Sequence, residues 1–254
     1  MKISIITATW NSALTIVDTL KSLNSQDYED IEHIIVDGGS TDDTLKLVKL
    51  YKKNPLTIIT ESDQGIYDAL NKGISTATGD VIGFLHSDDI FFDTNVLTKV
   101  AGCFVDNIID ATYGDLEYVS KSDTSKIVRK WKSGDYNKNK FKNGWMPPHP
   151  TFYMRRQKYI DLGGFNLKYK ISADYDSMLR YLWSGNIKPE YIPSVLIRMR
   201  TGGTSNRSFI NIVKKTIEDK TSMSENNIPI IRGLLGKNLL KIPQFFIKKL
   251  WLKL

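Results

Sequence analysis

Two adjacent aspartates, Asp88-Asp89, follow the apolar run Val81–Leu85. Neighbouring side chains of an extended segment point opposite ways. One carboxylate can therefore face a metal while the other fixes sugar or backbone. Mg²⁺ suits such a place, because it takes one or two carboxylates and completes its shell with phosphate oxygens and water. The competing use is a helix cap, since Asp93 and Thr94 follow closely. Asp37 ends a second apolar run and is followed by Gly38-Gly39-Ser40. It can accept hydrogen bonds from a base or ribose, or cap the turn it opens. The glycine pair is not a G-x-G-x-x-G fingerprint, and no Walker lysine motif is present. Both absences count against a Rossmann oxidoreductase and a P-loop NTPase.

These residues need elements to hold them. Ile3–Thr9, Ile31–Val36, Leu56–Thr60 and Val81–Leu85 are short, apolar and rich in β-branched residues. Between them, residues 13–24, a stretch opened by Thr41-Asp42-Asp43, and Ile66–Ala77 carry apolar residues at helical spacing. Alternation of this kind predicts an α/β layer: a doubly wound, mostly parallel sheet with helices on both faces. Ligands of such sheets bind outside the carboxyl ends of the strands. The polar clusters Thr9-Trp10-Asn11, Asp37, Glu61-Ser62-Asp63 and Asp88-Asp89 stand at four successive strand ends, which defines one rim.

Beyond residue 105 the pattern changes. Ala111–Val119, Lys126–Trp131, Thr151–Met154 and Tyr191–Arg200 read as strands. Arg156–Leu162 and Ala173–Trp183 read as helices, and residues 132–150 as a polar, aromatic loop over the site. The expected organisation is one fused domain at 1–225, in two halves at 1–105 and 106–225, and a basic amphipathic helical tail at 226–254.

The 254 residues are 41% hydrophobic and 25% charged, enough for a sizeable core and ordinary for a globular chain. This composition excludes a disordered chain, a collagen and a multi-span membrane protein. A lone cysteine, Cys103, permits neither an internal disulfide nor a cysteine-rich zinc site. Its place in Cys103-Phe104-Val105 suggests a buried, inert thiol, consistent with a reducing, cytoplasmic setting. The start, Met1–Ile6, is too short for a signal-peptide core. No stretch reaches the roughly 18 apolar residues that a spanning helix requires.

The net charge of +7 is uneven: residues 231–254 carry +6, residues 121–142 carry another +6, and the rest is acidic. The basicity is therefore local, and no nucleic-acid partner is expected.

Taken in order and spacing, several segments resemble glycosyltransferase family 2, the inverting GT-A sugar transferases of bacterial surface-polysaccharide type. They are Ile3–Asn11, Val36-Asp37-Gly38-Gly39-Ser40-Thr41-Asp42, Glu61–Gly73, Gly79-Asp80, Phe84-Leu85-His86-Ser87-Asp88-Asp89 and Ala173-Asp174-Tyr175-Asp176. The resemblance covers roughly residues 1–205. It implies a GT-A-like glycosyltransferase domain at 1–225, with 1–105 as its nucleotide-binding half and 106–225 as its acceptor-binding half, and a division of roles. Thr9 and Asp37 would hold the nucleotide, with Asp37 reading the base. Asp63, Asp68, Asn71 and Lys72 would line the donor pocket, and Asp88 would touch the donor. Asp89 would bind Mg²⁺ or Mn²⁺ across the diphosphate. Asp174 matches the catalytic base, with Ala173 where the family usually has Glu and Asp176 as the neighbouring candidate. His86 stands where asparagine is common, which bears on sugar selection.

The chemistry agrees with that division. An inverting transfer needs one base for the acceptor hydroxyl proton and a cation for the departing nucleoside diphosphate. The bland use of Asp174 is a helix N-terminal carboxylate favoured by the macrodipole. Trp145 could stack on an acceptor sugar or pack beneath the loop. His149 could line the acceptor site or serve the loop. Arg200 could contact the diphosphate or form a surface pair. Lys72 could be a solvated helix lysine.

In the tail, Phe246, Ile247, Leu250, Trp251 and Leu254 fall within an arc of about 140° on an ideal helix, with Lys248, Lys249 and Lys253 outside it. Such an end suits an anionic membrane surface; the alternative is a terminal helix packed on the body.

The expected activity is transfer of a sugar from a nucleoside-diphosphate sugar, a UDP-sugar above all, to a hydroxyl of a glycan or lipid-linked oligosaccharide. The expected place is the inner face of the cytoplasmic membrane. Two rivals remain: a nucleotidyltransferase that makes the sugar nucleotide, and a non-catalytic membrane or nucleic-acid binding module.

Overall fold

The computed structural model describes residues 1–53, 55–202, 209–239 and Gln244. Four strands, β1 (Ile3–Thr9), β2 (Ile31–Asp37), β3 (Leu56–Thr60) and β4 (Val81–Phe84), form the parallel order β3-β2-β1-β4. Helices α1 (Ile16–Asn24), α2 (Thr44–Tyr51) and α3 (Ile66–Thr76) connect them. Alternation along β2 sorts the helices by face. Ile34 and Val36 pack with Ala69 and Leu70 of α3, while Ile35 packs with Ile16 and Leu20 of α1 and Val48 of α2. β1 and β2 are buried along their whole length, as expected of strands covered on both sides.

Register carries the polar residues to one line. Thr9 pairs with Asp37, and Asp37 with Thr60. β4 stops earlier, at Phe84 opposite Ile6, so the chain leaves the sheet through His86–Asp89 beside that line.

The second half is a mixed sheet. β5 (Ile90–Phe91), α4 (Val96–Cys103), β6 (Ala111–Val119), β7 (Ile127–Trp131), β8 (Tyr153–Arg155), α5 (Arg156–Leu162), α6 (Ala173–Met178), β9 (Pro189–Arg200), α7 (Phe209–Glu225) and α8 (Ile230–Leu239) follow in order. β8 joins the halves, antiparallel to both β4 and β6. β6 runs parallel to β9, and β5 and β7 add antiparallel edges. The fold is thus the expected α/β class, with its parallel character concentrated in β1–β4.

Several expectations change in detail. The two-residue β5 had no visible signal. Cys103 is half-buried rather than buried, and Val105 is exposed. The helix expected over Ala173–Trp183 is α6 followed by wide turns at Leu179–Ser184, where the Gly185 amide donates to the Arg180 carbonyl. The segment expected as a tail from 226 begins as part of the body. Ile228 is buried in the main core, and Ile230 and Leu234 of α8 pack against it. The tail arc of Phe246 to Leu254 lies outside the described residues.

Candidate active site

The turn after β4 carries the sharpest chemistry. Asp89 is 1% exposed, and both of its carboxylate oxygens are buried without a hydrogen-bond partner. Its backbone is fixed instead: the amide donates to the His86 carbonyl at 3.0 Å, and the carbonyl accepts from Thr19 Oγ1 at 2.8 Å. Burial, then the neighbouring Asp88, push the Asp89 carboxyl well above the usual carboxylate range, with Arg200 pulling the other way. A buried carboxylate with both oxygens unsatisfied is costly unless a cation or proton meets it. The helix-cap use of this pair is not what the structure shows, since Asn95 precedes α4 and Asp93 serves the Asn95 amide.

These residues fit a divalent ion. Among the described residues no cluster of three or more His, Cys, Asp or Glu could hold one alone. Asp89 would therefore supply the protein ligand, and diphosphate oxygens and water the rest, as Mg²⁺ accepts.

Arg200 approaches the same turn from the end of β9. It is 6% exposed, donates from Nη1 to the Asp88 carbonyl at 2.7 Å, and pairs through Nη2 with Asp18 of α1. It is neither a surface pair nor open to solvent. It clamps the turn, while its Nε remains buried without a partner.

The rim at the ends of β1 and β2 is built on Asp37. Its carboxylate accepts from the amides of Gly39 at 3.1 Å and Ser40 at 2.9 Å, and from Ser40 Oγ. The turn-capping use is therefore realised, with Gly39 at φ +85° where a β-carbon is disfavoured. Asn11, at φ +47°, ties the end of β1 to that turn by accepting from the Thr41 amide at 2.9 Å. Asp63 is drawn against it: a β-carbon on Gly38 would sit 2.6 Å from Asp63 Oδ2. Thr9 lies buried at the end of β1 with its hydroxyl unpartnered.

The α3 residues divide. Asp68 accepts from the Gln64 amide at 3.0 Å and pairs with Lys72. Lys72 is a bridge rather than a solvated lysine, reaching Glu61 and the Ser62 carbonyl, both at 3.0 Å. Asn71 corrects the expectation of a donor-pocket residue. Its amide group donates to the Phe165 carbonyl at 2.9 Å and accepts the Phe165 amide at 2.7 Å, which fastens the two halves together.

Asp174 sits in the first turn of α6, half-buried. One oxygen accepts from the Tyr175 amide at 2.8 Å and lies 3.4 Å from the Tyr67 hydroxyl. Burial pushes its carboxyl above the ordinary value, and Lys215 and Lys237 counter that. Asp176 is different. It is buried, bound to Arg180 Nε at 2.8 Å, and accepts from Ser222 at 3.2 Å. The structure thus separates the two candidates: Asp176 is occupied by the fold and Asp174 retains an oxygen for chemistry.

The loop residues are placed plainly. Trp145 is buried, packs edge-on against Tyr113 and Phe141, and donates its indole N–H to the Ser133 carbonyl at 3.1 Å. Its ring serves the core beneath the loop rather than an acceptor. His149 is also buried, between Phe84 and Phe165 and 5.8 Å from the His86 ring. Both of its ring nitrogens lack partners, as does His86 Nδ1. Burial, then His86, push His149 down to about 3, and burial lowers His86 despite Asp88 and Asp174. Both rings are neutral at pH 7.

Three residues near the carboxylates were not singled out in the sequence. They are Asp18, Tyr67 and Tyr118, which lies on β6 under the Arg129 guanidinium at 3.8 Å. Burial raises the Tyr118 hydroxyl against the pull of Arg129, and the charges of Asp89 and Asp174 add to the rise.

Comparison with solved structures defines the class. TarS from S. aureus, in complex with UDP-GlcNAc, matches with a TM-score of 0.67 at 17% identity, covering 98% of this chain and 76% of that one. The mannosyltransferase PcManGT from Pyrobaculum calidifontis, in complex with GDP-Man and Mn²⁺, matches with a TM-score of 0.66 at 17% identity, covering 97% and 73%. The fold is that of the GT-A glycosyltransferases. A "PGL/p-HBAD biosynthesis glycosyltransferase" of Mycobacterium bovis is 32% identical over 226 residues, 87% of this chain and 84% of that protein. The model of Glycosyl transferase family 2 matches residues 4–163. The chain belongs to that family and is a glycosyltransferase.

Proposed function

We propose that the protein is a metal-dependent, inverting transferase that moves a sugar from a nucleoside-diphosphate sugar to an acceptor hydroxyl. The observation that carries this reading is the pairing of two unlike carboxylates. Asp89 presents two buried, unpartnered oxygens beside the strand ends, and Asp174 presents a half-buried carboxylate on a different element. Asp37, Asp63, Thr9 and Asp68 line the rim where the nucleotide and ribose would lie, with Asp88 toward the donor.

Asp174 takes the proton of the acceptor hydroxyl. That oxygen bonds to the anomeric carbon from the face opposite the diphosphate, and the bond from that carbon to the diphosphate oxygen breaks, its electron pair leaving with the nucleoside diphosphate. Bound at Asp89, Mg²⁺ or Mn²⁺ would offset the charge of the leaving diphosphate. Arg200 keeps Asp88-Asp89 in place throughout. The reaction uses a base whose pKa is raised toward working pH, as burial does for Asp174.

UDP is the favoured nucleotide and a lipid-linked oligosaccharide the favoured acceptor, with the enzyme peripheral at the inner face of the cytoplasmic membrane. The relatives support the donor class: TarS binds UDP-GlcNAc and PcManGT binds GDP-Man with Mn²⁺. The basic C-terminal residues support the membrane placement. Thermal unfolding with UDP, GDP and dTDP, each with and without Mn²⁺, tests the reading. A ligand at ~100 times its dissociation constant stabilises by about 2.7 kcal/mol. The expected result is a Mn²⁺-dependent shift with one nucleotide, absent in Asp89→Asn. No shift with any nucleotide would overturn it.

A further inference from the structure

Helices α7 and α8 lie beyond the residues that the family model matches, yet they grip the segment that carries Asp174. Glu218 of α7 accepts the backbone amides of Lys170 at 3.0 Å, Ile171 at 2.9 Å and Ser172 at 2.8 Å. Those three residues lead directly into α6. One carboxylate satisfying three successive donors fixes the start of the helix and so the place of Asp174.

The next residue, Asp219, is buried between two lysines. Lys215 Nζ is 2.7 Å from one carboxylate oxygen and Lys237 Nζ, from α8, is 2.8 Å from the other. The ammonium of Lys237 also lies 3.3 Å from the centroid of the Tyr175 ring, the residue after Asp174. With both lysines protonated, Lys215, Lys237 and Asp219 together carry one excess positive charge, set against Tyr175. A buried lysine is costly and is retained here by close backbone packing. A β-carbon on Gly236 would lie 2.1 Å from the Asn143 carbonyl oxygen, and one on Gly144 would lie 2.2 Å from that of Gly233. Arg232 adds a bond to Asn143 at 2.6 Å. Larger residues at these glycines would lift α8 and withdraw Lys237.

We propose that α7 and α8 complete the catalytic site, with Lys237 and Lys215, clamped by Asp219, acting as positioning residues that keep Asp174 ionised and aimed. This rests on the reading of Asp174 as the base. Tyr67 of α3 lies 3.4 Å from Asp174, and the Asp174 charge also acts on His86 after β4 and Tyr118 of β6. The histidine is neutral at pH 7, and Tyr67 and Tyr118 are held protonated by burial. Asp219 opposes ionisation of Asp174, so the favourable field comes from the two lysines. Burial pushes Lys237 down to about 7, while Asp219 sustains Lys215 above its ordinary value. Below neutral pH, where a carboxylate titrates, both lysines carry charge.

The test is the titration of Asp174 itself, read by carbon NMR of the full chain labelled in its aspartate carboxyls and assigned by comparison with Asp174→Asn. In Lys237→Met the Asp174 midpoint should rise by about one pH unit, because an opposite charge has been withdrawn. Lys237→Arg should leave it near its original place. An unmoved midpoint in Lys237→Met that still unfolds cooperatively would overturn the proposal. If Lys237→Met does not fold, Lys215→Met carries the same expectation and the same refutation. Turnover of Asp174→Asn separates the two readings. Normal turnover there would sink the base assignment, whatever the titration shows; lost turnover with an unmoved midpoint would sink the lysine proposal alone.

Discussion

Arg200 holds Asp88 across 112 positions of sequence, donating to its carbonyl oxygen at 2.7 Å from a nearly fully buried guanidinium. The partner of its second nitrogen, Asp18, is more than half exposed, so the ion pair contributes little by itself. The backbone bond is the part that fixes the Asp88-Asp89 turn. Arg200→Met should cost about 2 kcal/mol in urea unfolding, the usual loss when a buried charged donor abandons its acceptor. It should also weaken Mn²⁺-dependent nucleotide binding by calorimetry. Asp18→Asn should cost under about 1 kcal/mol and leave nucleotide binding intact. Equal effects of the two substitutions would place the importance in the ion pair instead.

Asp174 and Asp176 are two residues apart and make opposite predictions. Asp174→Asn removes the proposed proton acceptor, so turnover should fall by about 10²–10⁴-fold while nucleotide affinity is unchanged. Asp176→Asn leaves Arg180 and Ser222 with a weaker partner and should cost about 1–3 kcal/mol of stability, with turnover largely kept below the new melting temperature. Steady-state kinetics alongside thermal unfolding distinguishes the outcomes. A crossed result would transfer the base to Asp176.

How far these features were legible follows from their range in sequence. The β1–β4 half was readable because each β-branched run ends in a local polar cluster, as Ile31–Val36 does at Asp37-Gly38-Gly39-Ser40. Asp89 and Asp174 were readable as types at telling places. What Arg200, Asn71 and Trp145 do was not, because each is defined by a partner far along the chain: Asp88 for Arg200, Phe165 for Asn71, Tyr113 for Trp145. Tyr118 left no pattern, since a lone tyrosine in an apolar element looks like core, and Tyr67 stood in the matching segment Glu61–Gly73 without a role of its own. Lys237 shows the limit most sharply. Counted with a basic tail, it looks solvated, and only close glycine packing of α8 buries it.

His149 makes stability depend on pH in a definite direction. Its folded-state pKa, about 3, lies below the ordinary histidine value of 6.5, so between those values the unfolded chain binds the extra proton. Stability is full above about pH 6.5 and is lost as pH falls toward 3. His149→Phe preserves an aromatic ring between Phe84 and Phe165 and removes the titration. Urea unfolding at pH 7 and pH 4.5 should show a loss smaller by about 2 kcal/mol in the variant, a conservative share of what a shift of this size allows. The same loss in both proteins would mean that His33, also pushed down by burial to about 4, and the carboxylates carry the acid sensitivity.

The C-terminal residues require two truncations, because the body and the proposed membrane contact overlap in sequence. Removing 231–254 takes away most of α8, with the packed Leu234 and the buried Lys237, and should destabilise the catalytic domain itself. Removing only 240–254 keeps α8 and its exposed apolar stripe, Ile231, Leu235 and Leu239, spaced four apart on one face. It deletes Lys241, Lys248, Lys249 and Lys253. A basic residue near an anionic surface contributes about 1 kcal/mol, so the shorter deletion should weaken binding to phosphatidylglycerol vesicles by at least about 100-fold. The metal-dependent nucleotide shift should remain. Sedimentation with vesicles at low and high salt reads the difference, since the interaction of exposed charges fades with ionic strength. Unchanged co-sedimentation of the shorter chain would move the contact to the α8 stripe, and no sedimentation of the full chain would remove the membrane placement.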